Sequence, residues 1–111
     1  MKSPILLFTY NRLNHTRRCI EALQKNALSA ESDLYIYSDA AKEVSQQQAV
    51  NEVRQYLHTL QGFKSITLIE RKENWGLARN IIDGVTTQVN RYGKVIVLED
   101  DLIVAPYFLQ F

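Results

Sequence analysis

Cysteine occurs once, at Cys19, which excludes an internal disulfide framework and any zinc site built from several thiolates. A single thiol fits a reducing compartment and is expected to pack as a small apolar residue. Proline is nearly absent, and apart from the short run Gln46 to Gln48 no low-complexity stretch marks a linker or a domain boundary. Charge of one sign is lacking too. Thirteen Lys and Arg against twelve Asp and Glu leave +1, which rules out a strongly basic nucleic-acid footprint and an acidic tail. Any partner must therefore be met at a local site. The N-terminal apolar run, Ile5 to Phe8, is too short for a signal h-region or a membrane span, so the expected address is cytoplasmic. What is present, 46% hydrophobic and 23% charged in 111 residues, suits one ordinary globular domain with one core.

Four short apolar runs, Ile5–Phe8, Leu34–Tyr37, Ile66–Ile69 and Val95–Leu98, alternate with three longer amphipathic stretches. That alternation predicts consecutive βα units around a parallel sheet. None of the runs alternates polar with apolar, so each reads as a strand buried on both faces. The first helix is expected from about Asn14, as N-cap, to about Leu28, with Thr16, Ile20, Leu23 and Ala27 facing the core. The second opens on a Ser45 and Gln48 capping box, carries Val50, Val53, Leu57 and Leu60 on one stripe, and stops at Gly62. The third begins near Gly76 and ends at Gly93, with Leu77, Ile81, Val85 and Val89 inward. Gly84 within it weakens the helix or permits close packing on a strand. Pro106 suits the first turn of a fourth helix. Right-handed crossovers predict the strand order 3-2-1-4, a three-layer α/β/α sandwich.

In such a sheet ligands bind outside the carboxyl ends of the strands, and there the unusual polar residues collect. The four strands run out into Thr9-Tyr10-Asn11-Arg12, Ser38-Asp39, Glu70-Arg71 and Glu99-Asp100-Asp101. The 3-2-1-4 order brings Arg12 toward the acidic triplet. Two of its charges ~5 Å apart repel by roughly 3 kcal/mol at an effective dielectric near 20, so a cation should compensate. A hard divalent ion that borrows further oxygen ligands from a phosphate is one solution. A solvated loop answered by Arg12 or Lys94 is the other. Arg12, Arg71 and Arg79 carry the planar fork that suits phosphate, or serve as surface ion pairs. The segment Asn74-Trp75-Gly76-Leu77-Ala78-Arg79-Asn80 opens a helix, where free N–H groups favour anions. Its Trp75 either packs the loop on the core or stacks on a base. His15 and His58 lack the spacing of a zinc site and read as helix-surface residues. No G-x-G-x-x-G, Walker loop or G-x-S-x-G elbow occurs, which removes the main support for dehydrogenase, P-loop and serine-hydrolase readings.

The residues together resemble the GT-A nucleotide-sugar glycosyltransferases, particularly the family-2 type and the group containing the N-acetylglucosaminyltransferase of N-glycan branching. The most specific stretch is Val95-Ile96-Val97-Leu98-Glu99-Asp100-Asp101-Leu102-Ile103-Val104-Ala105-Pro106. Tyr10-Asn11-Arg12, Thr16-Arg17-Arg18-Cys19, Ser38-Asp39 and the Asn74, Gly76, Asn80 pattern support it. The resemblance spans nearly the whole chain as the Rossmann-like, nucleotide-binding half of that fold. It implies transfer of a sugar from a UDP-type donor to an acceptor hydroxyl with Mn²⁺ or Mg²⁺. By position it implies that Asp101 coordinates the metal, Asp100 contacts the ribose and Glu99 lies near the donor sugar. It also implies that Asp39 accepts the imide N–H of uracil, and that Arg12, with Asn11 beside it and the backbone of Thr9 and Tyr10, cradles the nucleotide. Arg79 is implied at the carboxylates or the phosphate. The general base of such enzymes comes after the metal motif, so residues 1–111 are read as one nucleotide-binding subdomain truncated at its C-terminus and inactive alone.

Three rivals stand beside this reading. A sugar nucleotidyltransferase shares the sheet but needs a glycine-rich loop after the first strand, and Thr9 to Leu13 has no glycine. A receiver-type domain places its acidic pair after the first strand, which here ends in Thr-Tyr-Asn-Arg. A non-catalytic interaction module or degenerate homologue would use the apolar end, Val104, Phe108, Leu109 and Phe111, as an interface. Under the truncated reading, that same end predicts self-association or marginal stability.

Overall fold

A computed structural model describes residues 3–26 and 29–99. In chain order these form strand β1 (Ile5–Thr9), helix α1 (Leu13–Gln24), β2 (Asp33–Ser38), α2 (Gln47–Leu57), β3 (Ser65–Glu70), α3 (Leu77–Tyr92) and β4 (Ile96–Glu99). The four strands make one parallel sheet in the order β3-β2-β1-β4, as the crossover rule predicts. Its register sets Phe8 opposite both Tyr37 and Glu99, and Thr9 opposite Ser38. No helix among the described residues is long and apolar enough to cross a membrane.

The two central strands are apolar on both sides, and the strand period of two sorts them into unlike faces. Ile5, Leu7, Leu34 and Ile36 meet Cys19, Ile20 and Leu23 of α1 and Val53 and Leu57 of α2 in an aliphatic core. Leu6, Phe8, Tyr35 and Tyr37 face α3, with Ile81, Val85 and Tyr92 packed against them. Helices therefore cover both faces, and one face is built of rings. Each fully buried Leu or Ile contributes about 1.5–3 kcal/mol, so this two-sided burial dominates the stability.

The outer strands depart from the expectation of burial on both faces. In β3, Ser65, Thr67 and Glu70 are exposed and the apolar residues only half-buried; in β4, Val97 is exposed while Leu98 is buried. Both lie at an edge of the described sheet, where a neighbour covers one side only. Helix boundaries shift as well. Arg12 rather than Asn14 is the N-cap of α1, without a side-chain cap bond, and the helix ends at Gln24. A 3₁₀ turn at Val44–Gln46 precedes α2, so the Ser45 and Gln48 capping box does not form, and α2 ends at Leu57, well before Gly62. The Pro106 helix and the apolar C-terminal end lie outside the described residues, as does Ala27.

The largest correction concerns α3. Its buried line is Asn80, Gly84 and Gln88, whereas Leu77 and Val89 are exposed and Ile81 and Val85 half-buried. The rings explain the shift. A Cβ on Gly84 would stand 3.0 Å from Cε2 and Cζ of Tyr37 and 3.1 Å from Cζ of Phe8, so the helix line facing them must be bare. Gln88 lies one turn on and donates through Nε2 to the Tyr37 hydroxyl at 3.2 Å.

Phe8 and Tyr37 are stacked, 5.0 Å apart at 16°, and cannot readily retreat. Gly84→Ala is accordingly expected to lower stability by about 1–2 kcal/mol through overpacking, although alanine is the better helix former by about 1 kcal/mol. The urea midpoint measures this, and an unchanged or higher midpoint would show that the rings give way. At the opposite end of the sheet the Tyr35 and Tyr92 hydroxyls are 2.7 Å apart, and Tyr92 donates to Asp33. That bond to Tyr35, then burial and the Asp33 charge, push the Tyr92 phenol up from 10.0 to about 12. The fold favours the protonated phenol, so this contribution is complete below about pH 10 and lost as pH climbs toward about 12. Alkaline unfolding followed by circular dichroism should show that decline, and Tyr92→Phe should flatten it.

Candidate functional site

The carboxyl ends of β1, β2 and β4 open on a cavity of about 580 Å³. Thr9, Tyr10, Asn11 and Arg12 border it from β1, Asp39, Lys42 and Gln46 from the segment after β2, and Glu99 from β4. Phe8 and Tyr37 supply aromatic wall, and Asn74, Gly76, Leu77 and Asn80 close it from the start of α3. Burial pushes the Tyr37 phenol pKa above its ordinary value.

Asp39 organises this rim. Its Oδ1 accepts the backbone N–H of Ala40 and of Trp75, both at 2.9 Å, and its Oδ2 accepts Gly76 N–H at 2.9 Å and Asn74 Nδ2 at 3.2 Å. Asn74 Nδ2 also reaches the Ala40 carbonyl at 2.9 Å. Gly76 has φ +81°, a left-handed conformation available to glycine, and it is the residue from which α3 starts. A buried carboxylate thus finds several N–H donors and the positive end of a helix dipole.

Two arginines fasten the same edge. Arg54, on α2, donates to Ser38 Oγ at 2.9 Å and through Nη2 to the carbonyls of Ser38 and Arg71, which ties the ends of β2 and β3. Arg71 donates through Nε to Asn80 Oδ1 at 2.8 Å and through Nη2 to Asp83 at 2.6 Å, with its guanidinium 3.6 Å from the Trp75 ring centroid. Arg71 is therefore an internal brace in this structure, not a cation presented to phosphate. Arg79 stands 4.1 Å from the same ring centroid, and Trp75 works as a loop-packing residue between helix and rim. His58 pairs with Glu70 at 3.0 Å on the surface.

Comparison with known proteins decides the family. The sequence profile of glycosyl transferase family 2 matches residues 5–110. The chain belongs to that family. This family-2 chain is similar in fold to a mannosyltransferase, PcManGT from Pyrobaculum calidifontis, solved in complex with GDP-Man and Mn²⁺. The TM-score is 0.62 at 15% identity, over 96% of this chain and 29% of that one. It is similar also to S. aureus TarS residues 1–349, with a TM-score of 0.63 at 16% identity, over 99% of this chain and 30% of that one. The chain thus spans less than a third of either structure. No curated protein sequence matches it.

Of the residues the family-2 resemblance pointed to, Thr9, Tyr10, Asn11, Arg12, Asp39 and Glu99 all border the one cavity, while Arg79 is engaged with Trp75. Asp100 and Asp101 lie outside the described residues, and among the described residues no three His, Cys, Asp or Glu side chains group as a metal site. Sequence reasoning missed Lys42, Gln46, Arg54 and Asn80. Only Asn80 belonged to a motif; the others had no signal beyond following a strand end or lying on a helix. Asp39→Asn replaces one acceptor oxygen by a donor that faces N–H groups, so it is expected to lower stability by about 2–3 kcal/mol. Thermal unfolding of the variant checks this. An unchanged midpoint would mean that the start of α3 does not depend on Asp39.

Proposed function

We propose that this family-2 chain is the donor-binding part of a glycosyltransferase that moves a sugar from a UDP-type nucleotide to an acceptor hydroxyl with a divalent metal. One observation carries the reading: the ends of β1, β2 and β4 and the start of α3 converge on a single cavity of small-ligand size. Arg12 is exposed and its guanidinium forms no hydrogen bond or ion pair with another described residue, so it is available to phosphate oxygens. Tyr10 and Asn11 flank the nucleoside, and Asp39, bordering the cavity at the end of β2, accepts the imide N–H of the uracil. Glu99 faces the donor sugar, and Asp100, next in sequence, meets the ribose.

The oxygen donors at this rim fit a hard divalent cation. Glu99 and Thr9 both border the cavity, and the buried Thr9 Oγ1 has no hydrogen-bond partner among the described residues; the buried Cys19 thiol, 3.9 Å from the Glu99 carbonyl oxygen, does not line it. Asp101 would hold the ion together with the donor phosphates; the Mn²⁺ bound with GDP-Man in the mannosyltransferase neighbour supports such a pairing. When bound, the ion stabilises charge developing on the diphosphate as the sugar departs. Arg12 adds to that stabilisation, and the aromatic wall of Phe8 and Tyr37 keeps the nucleotide side of the cavity dry.

Calorimetric titration of the full-length protein with UDP, with and without Mn²⁺, tests the proposal. Binding should tighten with the metal, and Arg12→Ala should weaken it about tenfold. Equal affinity without metal would remove Asp101 from its role, and failure of any nucleoside diphosphate to bind would overturn the donor-site reading.

A further inference from the structure

Helices α2 and α3 cover opposite faces of the sheet, yet one side chain of α2 reaches the segments that hold α3 in place. Ser38 and Glu70 are the last paired residues of β2 and β3. Where the two chains then leave the sheet, the Arg54 guanidinium spans them: Nε donates to Ser38 Oγ at 2.9 Å, and Nη2 donates to the Ser38 carbonyl at 3.1 Å and the Arg71 carbonyl at 2.9 Å. The Arg71 N–H donates to the same Ser38 carbonyl at 2.9 Å. Arg54 forms no ion pair with another described residue, so all of its partners here are neutral oxygens.

Each side of this clamp continues to α3. Asp39, directly after Ser38, accepts the backbone N–H groups of Trp75 and Gly76, while the Arg71 side chain bonds Asn80 and Asp83. The start of α3, which borders the cavity through Gly76, Leu77 and Asn80, is therefore held by two residues whose backbone Arg54 ties down. Arg54 itself does not border the cavity. We infer that Arg54 is a positioning residue for the donor site, acting from the opposite face of the sheet through Ser38 and Arg71 to set where the first turn of α3 walls the cavity. The inference rests on the donor-site reading above and adds a residue outside the cavity that governs its shape. A planar guanidinium holds three acceptors on two strands at fixed mutual positions, which a single-headed ammonium does not reproduce. Removing it takes a donor from the buried Ser38 hydroxyl and frees the two strand ends to part.

The test uses the full-length protein with Mn²⁺ and reads two quantities, the Kd for UDP by calorimetry and the fluorescence of Trp75. That ring lies against Arg71 and Arg79 and so reports the first turn of α3; its emission is taken as the difference from the same protein carrying Trp75→Phe. Arg54→Met keeps an unbranched side chain and removes the fork. At a temperature where circular dichroism shows it folded, this variant should bind UDP at least about tenfold more weakly and shift the Trp75 emission. Arg54→Lys, which reaches fewer of the three acceptors at once, should fall between it and the wild type in both readouts, and serves where Arg54→Met folds poorly. Millimolar guanidinium should restore UDP binding to Arg54→Ala and leave the wild type unchanged, a recovery that general destabilisation would not give because guanidinium is a denaturant. Unchanged UDP affinity in the variants, or weakened affinity with the Trp75 emission unmoved, overturns the inference while the donor site stands. Binding of no nucleoside diphosphate by the wild type overturns the donor-site reading, and the Trp75 emission then decides separately whether Arg54 sets the start of α3: a shift upholds that coupling and no shift overturns it.

Discussion

The Asp39 carboxylate is the point on which the rim depends. It is a charge taken out of water, which would be costly alone, and the chain offsets that cost by bringing backbone N–H groups and an amide from a segment about 35 residues later onto its two oxygens. The same bonds fix where α3 begins. Because α3 then runs across the aromatic face, a single carboxylate at the end of β2 sets the position of a helix that walls the cavity. A change at Asp39 is therefore a change in cavity shape before it is a change in charge.

The two faces of the sheet divide the labour. The aliphatic face, closed by α1 and α2, has the interdigitated Leu, Ile and Val expected of a core. The aromatic face is less symmetrical, since Phe8 and Tyr37 must both pack under α3 and reach the cavity. Large rings at that position demand a helix with little on its inner line, and Gly84 between Asn80 and Gln88 supplies one. The polar pair on either side is then used: Asn80 receives Arg71 and caps back to the Gly76 carbonyl, and Gln88 satisfies the Tyr37 hydroxyl. The rim and the helix packing are thus one arrangement.

Most of the architecture was legible because burial on both faces leaves unbroken apolar runs, and crossover handedness then limits strand order. Ile5 to Phe8 and Leu34 to Tyr37 read correctly for that reason. Ile66 to Ile69 misled, since a short apolar run looks the same at an edge as at the centre. The face of α3 misled for a deeper reason: hydrophobic periodicity assumes that the innermost residue is the most apolar, and here it is the smallest. Capping failed at Ser45 because that residue lies inside the 3₁₀ turn Val44–Gln46, one position ahead of Gln46, the N-cap from which α2 starts. The cavity-bordering residues at strand ends, Thr9 to Arg12, Asp39 and Glu99, followed from topology alone. Lys42 and Gln46 did not, because a loop's path over the rim is set by tertiary bonds such as that to Tyr10.

Arginine chemistry gives the last step. Arg12, Arg54, Arg71 and Arg79 all lie toward this edge, and sequence offers no way to rank them. The structure ranks them by what each guanidinium already holds. Arg54 closes β2 on β3, Arg71 bonds two residues of α3 and lies over Trp75, and Arg79 covers the same ring. Arg54 and Arg71 are engaged where a guanidinium is more use to the fold than to a ligand, because the fixed fork joins two elements at once, whereas Arg79 makes the ring contact alone. Arg12, at the start of α1 and beside the strand that carries Glu99, has no such engagement with a described residue. The rim thus keeps its cations for structure on the β3 side and leaves a guanidinium available on the β4 side, which is the side on which the sequence gathers its carboxylates. An anion drawn to Arg12 would be brought alongside those carboxylates, a neighbourhood it can occupy only with a further positive charge between them, and that requirement is the physical reason to look for a metal there.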